Sequence, residues 1–145
     1  EAELTTFFYG RYGVDLYGSS VVTTRSFAEK NPETVRKFIL GLVHGLNTMI
    51  ADQNASMASL KTYDGLLNDE IEKERMVISL RDMLVTPNVL KNGFSAVDPQ
   101  RLERTLKQVA PVFNITPPAA SDVYTDRYLP PANERAIRAW TPPGK

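Results

Sequence analysis

The sequence contains no cysteine and a single histidine, His44. Without thiols, disulfide scaffolds, thiolate zinc sites, iron–sulfur clusters and cysteine nucleophiles are excluded. One imidazole argues against a two-histidine metal site and against a Ser/His/Asp relay. An excess of one charge is also missing. The chain's 17 Lys+Arg balance 17 Asp+Glu, which argues against a nucleic-acid binder working through bulk positive charge. Residues 1–73 carry 7 basic and 10 acidic side chains, and residues 74–145 carry 10 and 7. That skew is too small to imply a polyanionic partner. The most apolar run, residues 38–51, is interrupted by His44 and Asn47 and falls short of the ~20 apolar residues that span a bilayer. No basic segment followed by an apolar one opens the chain, so no secretory leader is expected within it. None of G-x-x-x-x-G-K-[ST], G-x-G-x-x-G or G-x-S-x-G occurs.

What is present is an ordinary globular composition, 42% hydrophobic and 23% charged over 145 residues, enough for one domain with one core. Leu4–Tyr9 and Leu16–Thr24 are rich in Thr, Val and aromatics and are predicted as strands. A turn falls between them, where Gly10 and Gly13 flank Arg11 and Tyr12. Ser26 is expected to cap a short helical turn through Lys30. From Asn31 the apolar period becomes helical. Asn31-Pro32-Glu33 supplies a cap, a proline at the first position and an acid in the first turn. Val35, Phe38, Ile39, Leu42, Val43, Leu46, Met49 and Ile50 follow at steps of three and four, one face of a long helix. Gly41 and Gly45 on that helix would allow a neighbouring element close approach.

A second helix is expected from Asn54 to about Thr62, and a third after Asn68 with Ile71, Met76, Val77, Leu80, Met83 and Leu84 on its apolar side. Thr86-Pro87 should stop it, with a loop at Asn92-Gly93. Asp98-Pro99 starts a fourth, with Leu102, Leu106, Val109 and Phe113 as its stripe. Seven of the ten prolines lie beyond residue 110, so the last third should be extended. A short helix is expected at residues 132–140, docking Ile137 and Trp140. The expected organisation is a single partial domain: a strand segment over 1–24, helices over 25–113, and a proline-rich tail over 114–145.

His44 sits beside the stripe with no identifiable partner and reads as packing or surface. The carboxylates Asp69, Glu70, Glu72 and Glu74 open a helix, where the dipole favours negative charge, and lack the spacing of a calcium loop. No catalytic or metal-binding residue and no cofactor is assigned. The densest chemistry is Tyr9-Gly10-Arg11-Tyr12-Gly13-Val14-Asp15-Leu16-Tyr17-Gly18. Tyrosines offer flat apolar faces with polar tips, and an arginine holds a carboxylate or other oxyanion through two parallel bonds. Tyr9, Arg11, Tyr12, Asp15 and Tyr17 are the candidate ligand-binding residues. The competing reading is a strand–turn–strand whose tyrosines cover core.

Tyr12-Gly13-Val14-Asp15-Leu16-Tyr17-Gly18 resembles the Y-G-[VI]-D-[LFV]-Y-G run of ABC-importer solute-binding proteins of the nitrate/sulfonate/taurine and thiamine-pyrimidine-precursor type. The Asn31-Pro32-Glu33 start, the helix ending at Tyr63-Asp64, the Val97-Asp98-Pro99 start and the close Asp122-Val123-Tyr124-Thr125-Asp126-Arg127-Tyr128-Leu129-Pro130 follow that family's order, so the resemblance runs over roughly residues 7–131. It implies a helix-rich α/β chain: the C-terminal portion of a type II periplasmic-binding-protein fold, with one or two strands followed by four to five helices.

The implied function is capture of a small organic ligand between two lobes in the periplasm or another extracytoplasmic space, with an ABC permease as partner. The family hinge often reads Tyr-Ser-Asp-Tyr-Gly, whereas this chain has Tyr9-Gly10-Arg11-Tyr12-Gly13. Arg11 would favour an anionic ligand. A eukaryotic branch of the family makes the thiamine pyrimidine with a histidine and a cysteine-rich motif. This chain lacks the cysteines, so no enzyme is expected. The alternative is a stand-alone helical interaction domain that pairs with itself, for instance as a homodimer through an exposed strand.

Overall fold

The computed structural model describes residues 5, 7–138 and 140. Its helices are α1 (Arg25–Lys30), α2 (Pro32–Ala51), α3 (Gln53–Tyr63), α4 (Asp69–Ile78), α5 (Pro87–Asn92), α6 (Pro99–Val109) and α7 (Ala120–Val123). A 3-10 turn at Tyr9–Tyr12 precedes them; a π turn at Ser79–Leu84 extends α4 and a 3-10 turn at Ala110–Phe113 extends α6. The chain divides into two compact units. One comprises the chain up to Arg25 with Val97–Arg127, and the other comprises Ser26–Ala96 with the chain from Tyr128 onward.

The helix-rich expectation holds, but the strands do not form. Among the described residues there is no strand. Leu4 and Thr6 of the expected first strand lie outside the described residues. Its end, Tyr9, belongs to the 3-10 turn instead. Leu16–Thr24 runs without a ladder partner. Thr, Val and aromatics favour a pleated backbone, but a strand exists only where a neighbour exchanges N–H···O=C bonds with it.

Local capping explains most helix starts. Asn68 Oδ1 accepts from the N–H groups of Glu70 and Ile71, and Asp98 Oδ1 accepts from Arg101 N–H at 2.7 Å. Three boundaries differ from expectation. α3 is capped by Asp52, which accepts from Ala55 N–H at 2.9 Å, rather than by Asn54. The Asn31 side chain makes no cap bond to α2; it donates backwards to Phe27 O at 3.1 Å, closing α1. Thr86-Pro87 stops the preceding helix but also starts α5, because the Thr86 hydroxyl accepts from Val89 N–H and proline suits the first helical position.

The second unit is built on Val43, Ile50, Leu80, Val85 and Phe94, with Ile39, Leu46, Met76, Ile137 and Trp140 packed around them. The π turn carries the Val85 N–H to Leu80 O bond at 2.8 Å. Widening the helix there brings residues five apart onto one side, so Leu80 and Val85 both enter the core. A smaller cluster joins Ala28, Val35 and Tyr128.

Over residues 132–138 the expected short helix is replaced by turns and bends, and residue 139 lies outside the described residues. Carbonyls of the 132–138 stretch are engaged sideways: Asn47 Nδ2 donates to Ala136 O at 3.2 Å, and Arg135 O accepts from Phe94 N–H at 2.9 Å. Such bonds compete with a helical ladder. The stripes are also narrower than expected. Phe38 (60% exposed), Leu42, Ile71, Met83 and Phe113 lie outside the core, and Gly41 and Gly45 face open space rather than a neighbour.

Candidate functional site

The first unit holds the tyrosine-rich segment. Arg11 N–H donates to Phe8 O at 2.9 Å and Val14 N–H to Tyr9 O at 3.1 Å, which curls Tyr9–Tyr12 into one tight turn. Gly13 closes it with φ 80, the left-handed region where a side chain is strained. The turn gathers aromatic faces in the open. Tyr9 is 76% exposed and Tyr12 67%, with Phe7 and Phe8 beside them. The Phe7 and Tyr12 rings are 6.1 Å apart, and the Arg11 guanidinium lies 5.2 Å from the Phe8 ring centre. A cation over an aromatic face is held in place while its outer edge stays available. The turn thus offers flat apolar surface and one positive fork, a set suited to a small anion with an organic body.

Asp15 and Tyr17 do something else. Arg101, in α6, pairs its Nη2 with Asp15 Oδ1 at 2.8 Å and donates to Leu16 O at 2.9 Å. Its guanidinium stacks on the Tyr17 ring, 4.2 Å from the ring centre. Tyr17 Oη accepts from Asp98 N–H at 2.8 Å, and Gln108 Nε2 donates to Gly13 O at 2.9 Å. Of the five residues chosen from the sequence, Tyr9, Arg11 and Tyr12 therefore come together in an exposed turn. Asp15 and Tyr17 are fastened to a helix more than eighty residues further on. The residues that sequence reasoning missed are Arg101 and Gln108. Their spacing of seven, with Thr105 between, marks one helical face and was the available signal.

His44 is exposed on α2, and Asp69 pairs with Lys61 at 2.7 Å. Among the described residues no three His, Cys, Asp or Glu side chains gather as metal ligands, and no helix is long and apolar enough to cross a membrane. In the second unit, an open groove of about 260 Å³ lies over Leu40, Leu129, Pro130 and Pro131, but Glu33 already occupies Arg36 on its rim. The Arg81 guanidinium is held above its usual value by its bond to Asp82.

Residues 1–56 match the model of the family described as NMT1/THI5 like. The matched stretch spans the aromatic turn, the segment fastened to α6, and α1 and α2. It supports the family resemblance for those residues; Tyr63-Asp64, Val97-Asp98-Pro99 and the Asp122–Pro130 close lie beyond it. No curated protein and no solved structure matches the chain.

Proposed function

We propose that this chain is the C-terminal part of an extracytoplasmic, periplasmic solute-binding protein that serves an ABC importer and captures a small organic anion between two lobes. The observation that carries the reading is the coincidence of the NMT1/THI5 like match with the exposed Tyr9–Tyr12 turn. In this reading Arg11 holds the anionic group through its fork, and Tyr9 and Tyr12 stack on the organic body. Asp15 and Tyr17 anchor the turn rather than touch the ligand. Ligand bound more tightly by the closed arrangement draws the lobes together, and the closed form docks on the permease. The proposal assigns no chemical step and no cofactor to the chain.

The test is calorimetric titration of the full-length protein with taurine, nitrate and the thiamine pyrimidine precursor. Arg11→Ala is expected to weaken binding of the anionic probes by about tenfold or more, the worth of a charge-assisted hydrogen bond. Unchanged affinity in that variant removes Arg11 from the site.

The exposed Phe38 and Leu42, beside the open Gly41 and Gly45 on α2, favour a second reading, a helical self-association domain. It predicts concentration-dependent dimerisation in sedimentation velocity, abolished by Phe38→Glu. A monomer at all concentrations eliminates it.

A further inference from the structure

The contacts of α6 carry a role beyond folding. A helix side chain usually meets a passing segment through one or two bonds. Here Arg101 alone grips three successive groups: the Asp15 carboxylate, the Leu16 carbonyl and the Tyr17 ring. Seven residues along the same helix, Gln108 takes the Gly13 carbonyl. Gly13 is the residue that closes the Tyr9–Tyr12 turn. The bonds therefore begin at the residue that closes the turn and resume at Asp15, Leu16 and Tyr17, while Val14 between them bonds back to Tyr9 O.

The turn itself has little else to fix its direction. The turn buries no side chain, and the Arg11 N–H to Phe8 O and Val14 N–H to Tyr9 O bonds that shape it are internal. Exposed bonds of that kind open easily by themselves. A planar guanidinium that is at once paired, hydrogen-bonded and stacked loses little freedom per bond formed, which makes it a stiff anchor.

We infer that Arg101 and Gln108 are positioning residues, which set the direction of the aromatic turn and thereby the ligand affinity of a site they do not touch. The inference rests on the solute-binding reading for its ligand arm alone. Asp98 contributes a second fixed point, since its side chain caps α6 while its N–H holds the Tyr17 hydroxyl. Helix and strap are thus locked in one register.

The experiment compares the full chain with Arg101→Ala, Gln108→Ala and Arg101→Lys. Amide exchange is followed at Arg11, Gly13 and Val14, the N–H groups that close the turn. Arg101→Ala is expected to accelerate their exchange by about tenfold, as loss of a charged hydrogen bond implies, while α2 and α4 exchange as before. Arg101→Lys keeps the charge on Asp15 but loses the fork and the stack, so it should restore only part of the protection. Added methylguanidinium should restore protection in Arg101→Ala, which a general loss of packing would not permit. Gln108→Ala, an exposed single-bond change, should give a smaller acceleration and no loss of fold. Unchanged exchange in both alanine variants overturns the inference.

The second arm titrates taurine and nitrate. Weaker binding in Arg101→Ala supports the inference, and wild-type affinity alongside accelerated exchange overturns the link from anchor to ligand. If the wild-type protein binds neither probe, the reading as an anion-binding protein falls, and the exchange result alone upholds or overturns the anchor.

Discussion

Leu80→Ala is expected to lower the stability of the second unit by about 3 kcal/mol, the middle of the range for truncating a buried leucine. Leu80 is 0% exposed and sits among Val43, Ile50, Val85 and Phe94. Three features keep the surroundings from collapsing into the space left. Val85 is tied to Leu80 O across the π turn, Phe94 N–H is tied to Arg135 O, and Val43 lies in the middle of a twenty-residue helix. Trp140 is the chain's single tryptophan and packs against this cluster, so its fluorescence in a urea titration reports the change directly. A loss below about 1 kcal/mol would show that the site relaxes freely and that these residues do not form a close-packed core.

Gly93→Ala is expected to destabilise the same unit by a comparable amount, about 2–3 kcal/mol. Two independent costs add. Gly93 adopts φ 81 and ψ 169, a region open almost solely to glycine. A Cβ at that position would also lie 3.0 Å from Arg135 O and 3.1 Å from its carbonyl carbon. The Arg135 backbone is poorly able to retreat. Its carbonyl accepts from Phe94 N–H, and its side chain donates back to Phe94 O and to Pro130 O. The change should therefore detach the 128–138 segment from the loop after α5, and Trp140 emission should shift towards that of solvent at lower urea. Arg135→Ala, which frees the same segment without touching Gly93, should reproduce much of that shift. If Gly93→Ala leaves the midpoint where it was, the close approach of the two segments is wrong.

How much of this was readable from the residues depends on distance along the chain. Caps at Asn68 and Asp98 and the prolines that open α2 and α6 act over three or four positions, and all were visible. So was the inner face of α2, because Val35, Ile39, Val43 and Ile50 repeat at helical spacing. Thr86-Pro87 does stop the preceding helix as expected, but the same pair also begins α5, a start that only the length of the following segment could reveal. The strand reading of Leu16–Thr24 failed for a deeper reason. β propensity describes how a side chain fits a pleated surface, and says nothing about whether a partner exists. The candidate site was half legible. Tyr9, Arg11 and Tyr12 announce themselves by composition, whereas the fates of Asp15 and Tyr17 depend on Arg101, more than eighty positions away, and no local pattern encodes that meeting.

The attachment of this strap to α6 is shared between main-chain and side-chain atoms of residues 13 and 15–17. Gly13 and Leu16 are held by their carbonyls, which every amino acid possesses, while the groups that face outward on the turn belong to side chains at positions 9, 11 and 12. Anchorage and selectivity thus reside on different atoms. In the proposed solute-binding role, exchanging the outward groups would retune what is captured without loosening the mount.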